Sequence, residues 1–222
     1  MTRLRAMVGL VGLLALVVAA GWVLLGTGLL GVRSVTVVGA SRVSTAEVLA
    51  AAAVRPDQPL ASLDAAAIAG RVAALPAVRS AVVVREWPRA VRITVHERVP
   101  AAVRLEGSSF ALVDRSGVVF GVVRKRPSGL PLVSAPVDAG APALRAALDV
   151  LAAVPRVLAG QVLEVRAATP DQVTLRLTRS RMVMWGSPER SRRKAAVLAA
   201  LMTRPAKIYD VSAPDAPTTR LR

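Results

Sequence analysis

Every residue from Ala6 to Val32 is uncharged, and the run is built from Leu, Val, Ala and Gly with Trp22 near its far end. A hydrocarbon core about 30 Å thick needs about 20 helical residues, so the pattern predicts one membrane-spanning helix over residues 6–31 with some tilt. Trp22 and the glycines from Gly26 to Gly31 fall where such a helix meets the far interface, a depth that Trp favours. Arg3 and Arg5 precede the run, which predicts a short cytoplasmic N-terminus over residues 1–5 and the bulk of the chain outside. Arg33 and Arg42 follow on the other side. The rival is a cleaved leader with Val18-Ala19-Ala20 at its cleavage site. The apolar run continues through Trp22-Val23-Leu24-Leu25, which favours a retained anchor.

Beyond the run the periodicity alternates between strand and helix. Val32–Val38 reads as a strand with Val35 and Val37 on one face, broken by Gly39. Ser44-Thr45-Ala46-Glu47 has the form of a capping box, in which the serine oxygen takes the N3 amide and the glutamate reaches back. A helix to about Ala53 is predicted after it. A second helix starts at Ser62 or Asp64, with Ile68, Val72 and Leu75 at helical spacing, and stops at Pro76. Val78–Arg85 and Ala90–Arg98 read as strands around the turn Glu86-Trp87-Pro88-Arg89. In the second of them Val91, Ile93 and Val95 alternate with Arg92, Thr94 and His96. The order β-α-α-β-β over residues 32–100 predicts two helices on one face of a three-stranded sheet.

After Pro100 the texture changes to short strands and turns. Phe110–Val113 and Val118–Val123 are predicted as a hairpin around Asp114-Arg115-Ser116-Gly117. Pro127–Pro142 reads as irregular. Leu144, Ala147, Leu148 and Leu151 mark an amphipathic helix stopped by Pro155. A hairpin over Val162–Ala168 and Val173–Thr178 follows, then a strand at Arg181–Trp185. A helix is predicted from Ser187, its cap, and Pro188, its first residue, to Thr203, burying Val197, Leu198 and Leu201 and leaving Lys194 on a solvated face. Lys207–Val211 is a last strand. These elements form a β-rich domain with flanking helices over residues 101–211, and residues 212–222, with Pro214 and Pro217, read as an extended tail. The fold class is α+β.

Composition narrows the chemistry. The chain has no Cys and a single His, and its formal net charge is +16, nearly all from Arg, with lysine only at 125, 194 and 207. Disulfides, thiol chemistry and Cys-ligated metals are excluded. His96 has no second His beside it and no Ser or Asp placed by spacing to join it, so a triad or zinc constellation finds no support. No spacing supports a Ser-Lys dyad either. No catalytic, cofactor-binding or metal-binding residue is expected. The basic excess suits anionic lipid, wall polymer or nucleic acid, but its densest clusters, Arg124-Lys125-Arg126 and Arg190-Ser191-Arg192-Arg193-Lys194, lack interleaved aromatics. Glu97 and Arg98 are each expected to form a salt bridge or face solvent. Trp87 is expected to pack over the hairpin end, with partner contact as the alternative, and Tyr209 is open between core and interface.

In this order the residues resemble the FtsQ/DivIB family of bacterial cell-division proteins, of actinobacterial type. The matching pieces are Val35-Thr36-Val37-Val38-Gly39 after the apolar run, Leu75-Pro76-Ala77-Val78, Arg85-Glu86-Trp87-Pro88 and Ile93 to Pro100. Leu112 to Phe120 follows, then Lys194 and Ile208-Tyr209-Asp210-Val211-Ser212. The resemblance implies a POTRA domain and a β domain on the outer side of the cytoplasmic membrane, and a non-enzymatic scaffold role at the division septum with FtsB/DivIC- and FtsL-type partners. It further implies that the end of the β domain adds a partner strand, which maps contact to Lys207, Ile208, Tyr209, Asp210, Val211, Ser212, Ala213 and Pro214, with Lys194 on the preceding helix. Deleting residues 208–222 is then expected to leave a folded ectodomain without its partner. The alternative reading is a membrane-tethered basic protein that binds nucleic acid or anionic polymers, and a membrane-bound serine hydrolase or a POTRA-bearing assembly factor stands behind it.

Overall fold

The computed structural model describes residues 10–17, 21, 30–136 and 140–221. Residues 10–17 are helical, with Leu10, Val11, Leu13, Leu14, Leu16 and Val17 exposed. Most of the rest of the predicted 6–31 span lies outside the described residues, among which no helix is long and apolar enough to cross a membrane. The chain divides into two compact units between Arg98 and Val99.

The first unit has the predicted order: β1 (Ser34–Val38), α1 (Thr45–Ala52), α2 (Ala65–Ala73), β2 (Val78–Glu86) and β3 (Ala90–Glu97). β3 is central, parallel to β1 and antiparallel to β2. Its alternation is that of a half-buried strand: Val91, Ile93 and Val95 enter the core while Arg92 and His96 stay outside. Each such aliphatic burial contributes about 1.5–3 kcal/mol. Val48, Ala52, Ile68 and Val72 from the helices close the other side of that core. The capping box at Ser44 forms in full: Ser44 Oγ accepts from Glu47 N at 3.2 Å and Glu47 Oε2 accepts from Ser44 N at 2.9 Å. The Ser44 N–H and, at 2.8 Å, the Ser44 hydroxyl both donate to Glu47 Oε2 and hold the Glu47 carboxyl below the usual range. α2 is capped by Asp64, the second of the two predicted starts, and a short 3₁₀ turn at Leu60–Ser62 precedes it.

Gly39 sits at φ +84°, and a Cβ there would lie 2.3 Å from the Val95 carbonyl oxygen, so the end of β1 requires glycine. The unit also begins earlier than the alternation suggests, because Gly31 forms an antiparallel bridge with Pro59. Two local expectations fail. Trp87 is 55% exposed rather than packed over the hairpin end. Glu97 neither faces solvent alone nor, among the described residues, pairs with arginine: its carboxylate accepts from the backbone N–H of Ser41, Arg42 and Val43 and from the Ser41 hydroxyl.

The second unit is a nine-stranded sheet. Its strands are β4 (Pro100–Glu106), β5 (Ser109–Asp114), β6 (Val119–Val123), β7 (Leu132–Ser134), β8 (Val162–Ala167), β9 (Val173–Leu177), β10 (Arg181–Gly186), β11 (Ile208–Asp210) and β12 (Thr218–Arg220). They lie in the order β12-β11-β10-β9-β8-β7-β4-β5-β6. The helices α3 (Gly140–Ala153), α4 (Arg156–Ala159) and α5 (Ser191–Leu201) complete the unit. The predicted hairpins are present, and Asp114 organises the first turn by accepting from Ser116 N, Ser116 Oγ and Val118 N.

Three strands escaped the sequence pattern. β4 begins at Pro100 and buries the adjacent Ala102 and Val103, so it shows no clean alternation. β7 lies inside the stretch read as irregular; it has three residues and exists because it bridges β4 and β8 by parallel pairing. β12 lies in the stretch read as an extended tail and pairs antiparallel with β11 instead. The β-rich unit therefore does not end at residue 211. On α3 the buried face is Ala143, Ala146, Ala147, Leu148 and Val150, with the expected Leu144 and Leu151 only partly covered.

Candidate functional site

The β10–α5–β11–β12 region carries every residue to which the sequence assigned partner contact. α5 starts at Ser191, not Ser187. Arg190 occupies the cap position in the left-handed conformation, and no side chain caps the helix. The cause lies in side chains that take the preceding carbonyls. Ser191 Oγ donates to the Pro188 carbonyl at 2.6 Å and accepts from the buried Trp185 Nε1–H at 3.1 Å, and Lys194 Nζ donates to the Ser187 carbonyl at 2.8 Å. Residues 187–190 are thus a loop fastened from below by the helix.

Lys194 corrects the sequence reading: it is 2% exposed, points inward, and holds the 187–190 loop to α5 rather than offering a charge to solvent. Desolvation, and secondarily the positive charge of Arg190, push its ammonium pKa down, against the opposing pull of Glu189 and Asp171. The folded state then binds fewer protons than the unfolded state as pH rises toward the ordinary lysine range, so stability increases with pH there. Lys194→Met is expected to change stability at pH 7 by no more than about 1 kcal/mol and to abolish that alkaline gain, because it removes a desolvated charge while keeping volume. Lys194→Ala, which leaves a cavity, is expected to cost about 2 kcal/mol or more. Urea unfolding at pH 7 and pH 10 measures both.

The segment 207–214 alternates between interior and surface. Tyr209 is core, 1% exposed, with its hydroxyl donating to the Arg204 carbonyl at 3.0 Å and accepting from Ala206 N at 3.1 Å. Val211 is buried and donates its N–H to the Met184 carbonyl. Pro214 is also buried, whereas Lys207, Ser212 and Ala213 are exposed and Ile208 and Asp210 half-buried. Asp210 Oδ1 accepts from Ser212 N at 3.0 Å and Ser212 Oγ at 2.6 Å, which turns the chain away from the strand. Gly186 at φ +74° lets this turn approach, since a Cβ there would meet Ser212 Cβ at 3.0 Å.

The backbone of β11 is used on both sides. β10 runs parallel along one, and β12 closes the other with Ile208 opposite Arg220 and Asp210 opposite Thr218. Lys207 N donates to the Arg220 carbonyl at 2.9 Å. The loop between β11 and β12 is tied to α5 by Asp215, which pairs with Arg190 at 2.9 Å and with Arg193. All three residues of β12 are exposed, and β12 is the outermost strand of the sheet. The sheet edge thus lies at 218–220, and deletion of residues 208–222 would remove Tyr209 and Val211 from the core rather than leave the unit intact.

His96 is exposed on β3. Arg126 is spent on the carbonyls of Leu130 and Leu163. Among the described residues no group of three or more His, Asp or Glu side chains could hold a metal ion.

A β-α-α-β-β unit followed by a broad mixed sheet with an exposed final strand defines a two-unit, POTRA-plus-β-domain protein. Comparison with known proteins agrees. The profile for the FtsQ-type POTRA domain matches residues 30–98, and that for the C-terminal region of cell division protein FtsQ/DivIB matches residues 101–213. The chain is 42% identical over 209 residues to the cell division protein FtsQ of Mycolicibacterium smegmatis, covering 92% of this chain and 62% of that one. It is 39% identical over 221 residues to FtsQ of Mycobacterium tuberculosis, covering 98% and 69%. With FtsQ of Streptomyces venezuelae it shares 38% identity over 227 residues, covering 97% and 83%. The major extracytoplasmic domain of the cell division protein DivIB from Geobacillus stearothermophilus overlaps 50% of this chain and 98% of its own, with 19% identity and a TM-score of 0.34. The chain belongs to the FtsQ/DivIB family of cell-division proteins.

Proposed function

We propose that this chain is a non-enzymatic, single-pass scaffold of the divisome. Residues 6–31 anchor it with the N-terminus in the cytoplasm, and both units work outside the membrane at the division septum. Its partners are FtsB/DivIC- and FtsL-type proteins. Membrane confinement raises the effective concentration of partners that bind weakly one by one.

The observation that supports this reading is the edge strand β12. A terminal strand leaves one side of its backbone N–H and C=O groups for another chain to pair with. The contact segment accordingly moves from residues 208–214 to Thr218–Arg220, with Asp215 fixing the approach.

Replacing both Thr218 and Thr219 by Pro removes two donors from β12 and disfavours pairing on either side of it. The expected result is at least a tenfold loss (roughly 1.4 kcal/mol) of FtsB/DivIC-type partner co-purified from membranes. The unfolding free energy should change by no more than about 1 kcal/mol, because none of the three strand residues is buried. Unchanged co-purification would reject the edge as the contact. A reporter fused after Arg222 that is active only in the cytoplasm would reject the topology.

A further inference from the structure

Three separate stretches of the first unit are bonded together at one end of its sheet. Val32 N donates to the Gln58 carbonyl at 2.9 Å, and Asp57 N donates back to the Val32 carbonyl at 3.0 Å. Arg33 N and Ser34 N both donate to the Arg89 carbonyl, at 2.8 and 3.3 Å. Because β1 runs parallel to β3, it starts beside the β2–β3 turn, with Ser34 opposite Ala90 and Ala90 opposite Glu86. The entering chain, the turn at Arg55–Gln58 and the turn at Glu86–Arg89 therefore share one end face. Gly31 permits this approach, since a Cβ there would lie 2.6 Å from the Asp57 carbonyl oxygen.

The entering chain also gives this face its place. Every residue from 6 to 32 is uncharged, and Val32 is already part of the core at 3% exposure. The uncharged run thus passes straight into the packed unit. One residue of extended chain reaches about 3.3–3.6 Å, and the polar layer of a bilayer is about 5–7 Å deep on each side of the hydrocarbon. An anchor that ends at residue 31 holds the end face inside that layer.

The side chains on the face suit that depth. Trp87 is 55% exposed at the turn. An indole with an apolar body and one polar N–H is at its most favourable at headgroup level. Arg33 and Arg55 are exposed on the same face, with Asp57 as their acidic neighbour. Glu86 is matched by Arg92 at 2.5 Å, and Arg85 is spent on the Leu63 carbonyl at 2.6 Å. The face is therefore basic, and its guanidinium groups have the planar fork that pairs with phosphate oxygens.

We propose, on the reading of residues 6–31 as the anchor, that this end of the first unit is seated in the outer headgroup layer. Trp87 enters the interface, and Arg33 and Arg55 pair with the phosphates of anionic phospholipid. The β2–β3 turn lies one to two strand spacings from β1, roughly 5–10 Å. Two contacts that far apart, the anchor exit and Trp87, set the tilt of the sheet against the membrane and stop the unit from swivelling about the anchor.

The chain has three tryptophans, at positions 22, 87 and 185, which separates the readouts. The full chain is placed in nanodiscs of phosphatidylcholine, with or without phosphatidylglycerol, whose acyl chains carry bromine near the headgroup and quench indoles that touch them. Trp22→Phe minus Trp22→Phe/Trp87→Phe gives the Trp87 signal, and the emission of buried Trp185 reports folding in both. The Trp87 signal is expected to lose about half its intensity to brominated lipid, as an interfacial indole does. The loss should be about twofold greater with phosphatidylglycerol, and Arg33→Gln/Arg55→Gln should abolish that difference. Trp87→Phe minus the same double variant reads Trp22 and tests the span by itself. Quenched Trp22 with unquenched Trp87 overturns the seating and leaves the anchor standing, whereas unquenched Trp22 removes both. Trp87 quenching that ignores phosphatidylglycerol, or that keeps its dependence after both arginines are replaced, overturns the phosphate pairing.

Discussion

Trp185→Ala is expected to lower the unfolding free energy of the Val99–Arg222 unit by about 3–5 kcal/mol, the range for truncating a fully buried aromatic. Trp185 is 0% exposed and shares a core with Val183, Leu198 and Tyr209. Its indole N–H donates to Ser191 Oγ, which in turn donates to the Pro188 carbonyl, so the side chain also sets where α5 begins. The cavity would therefore release the β10–α5 loop as well as remove apolar contact. Against a typical domain stability of about 5–15 kcal/mol, that loss leaves a small margin. Urea unfolding followed by far-UV circular dichroism measures it. A cost below about 1 kcal/mol would mean that the core closes without this residue.

The second large effect concerns Glu97 and is tied to pH. Desolvation pushes its pKa up, but the hydrogen bonds from Val43, Ser41 and Arg42 N–H groups and from the Ser41 hydroxyl outweigh that and hold it at about 2. The folded pKa is depressed, so the stabilisation is fully present above the unfolded value of about 4.3 and is lost as pH falls toward 2. Solvent screening at this partly exposed position limits the contribution to about 1–2 kcal/mol. Glu97→Gln is expected to lose that amount at pH 7, since an amide presents one acceptor oxygen where the carboxylate presents two. Its stability should also change less between pH 5 and pH 3 than that of the unmodified chain. Parallel denaturation curves for the two proteins at pH 7, 5 and 3 supply the comparison, and identical pH slopes would show that the loop does not depend on this charge.

Much of the first unit was legible in the sequence. Ser44-Thr45-Ala46-Glu47 forms its box, and Val91, Ile93 and Val95 alternate into the core, because capping and period-two burial are local rules that a short window contains. The loop around Glu97 was not legible. Its donors lie more than fifty positions earlier in the chain, and nothing in Glu97-Arg98 marks the carboxylate as an acceptor of three backbone amides.

The candidate site was read only in part. The strand at Ile208–Asp210 and the helix before it were found from their apolar spacing. Local pattern puts Lys194 on a solvated face and does not place Tyr209, because burial of an ammonium or a phenol depends on what the rest of the chain brings over it: the Ser187 carbonyl for one, Arg204 and Ala206 for the other. Local pattern by itself determined the β-α-α-β-β order of the first unit, the two hairpins of the second, the uncharged N-terminal run and, through the succession of motifs, the family. Tertiary structure alone decided that Thr218–Arg220, a polar segment with no strand periodicity, becomes the last strand. Its reason for being extended is the row of backbone donors and acceptors on β11, and that row exists only after the sheet has assembled.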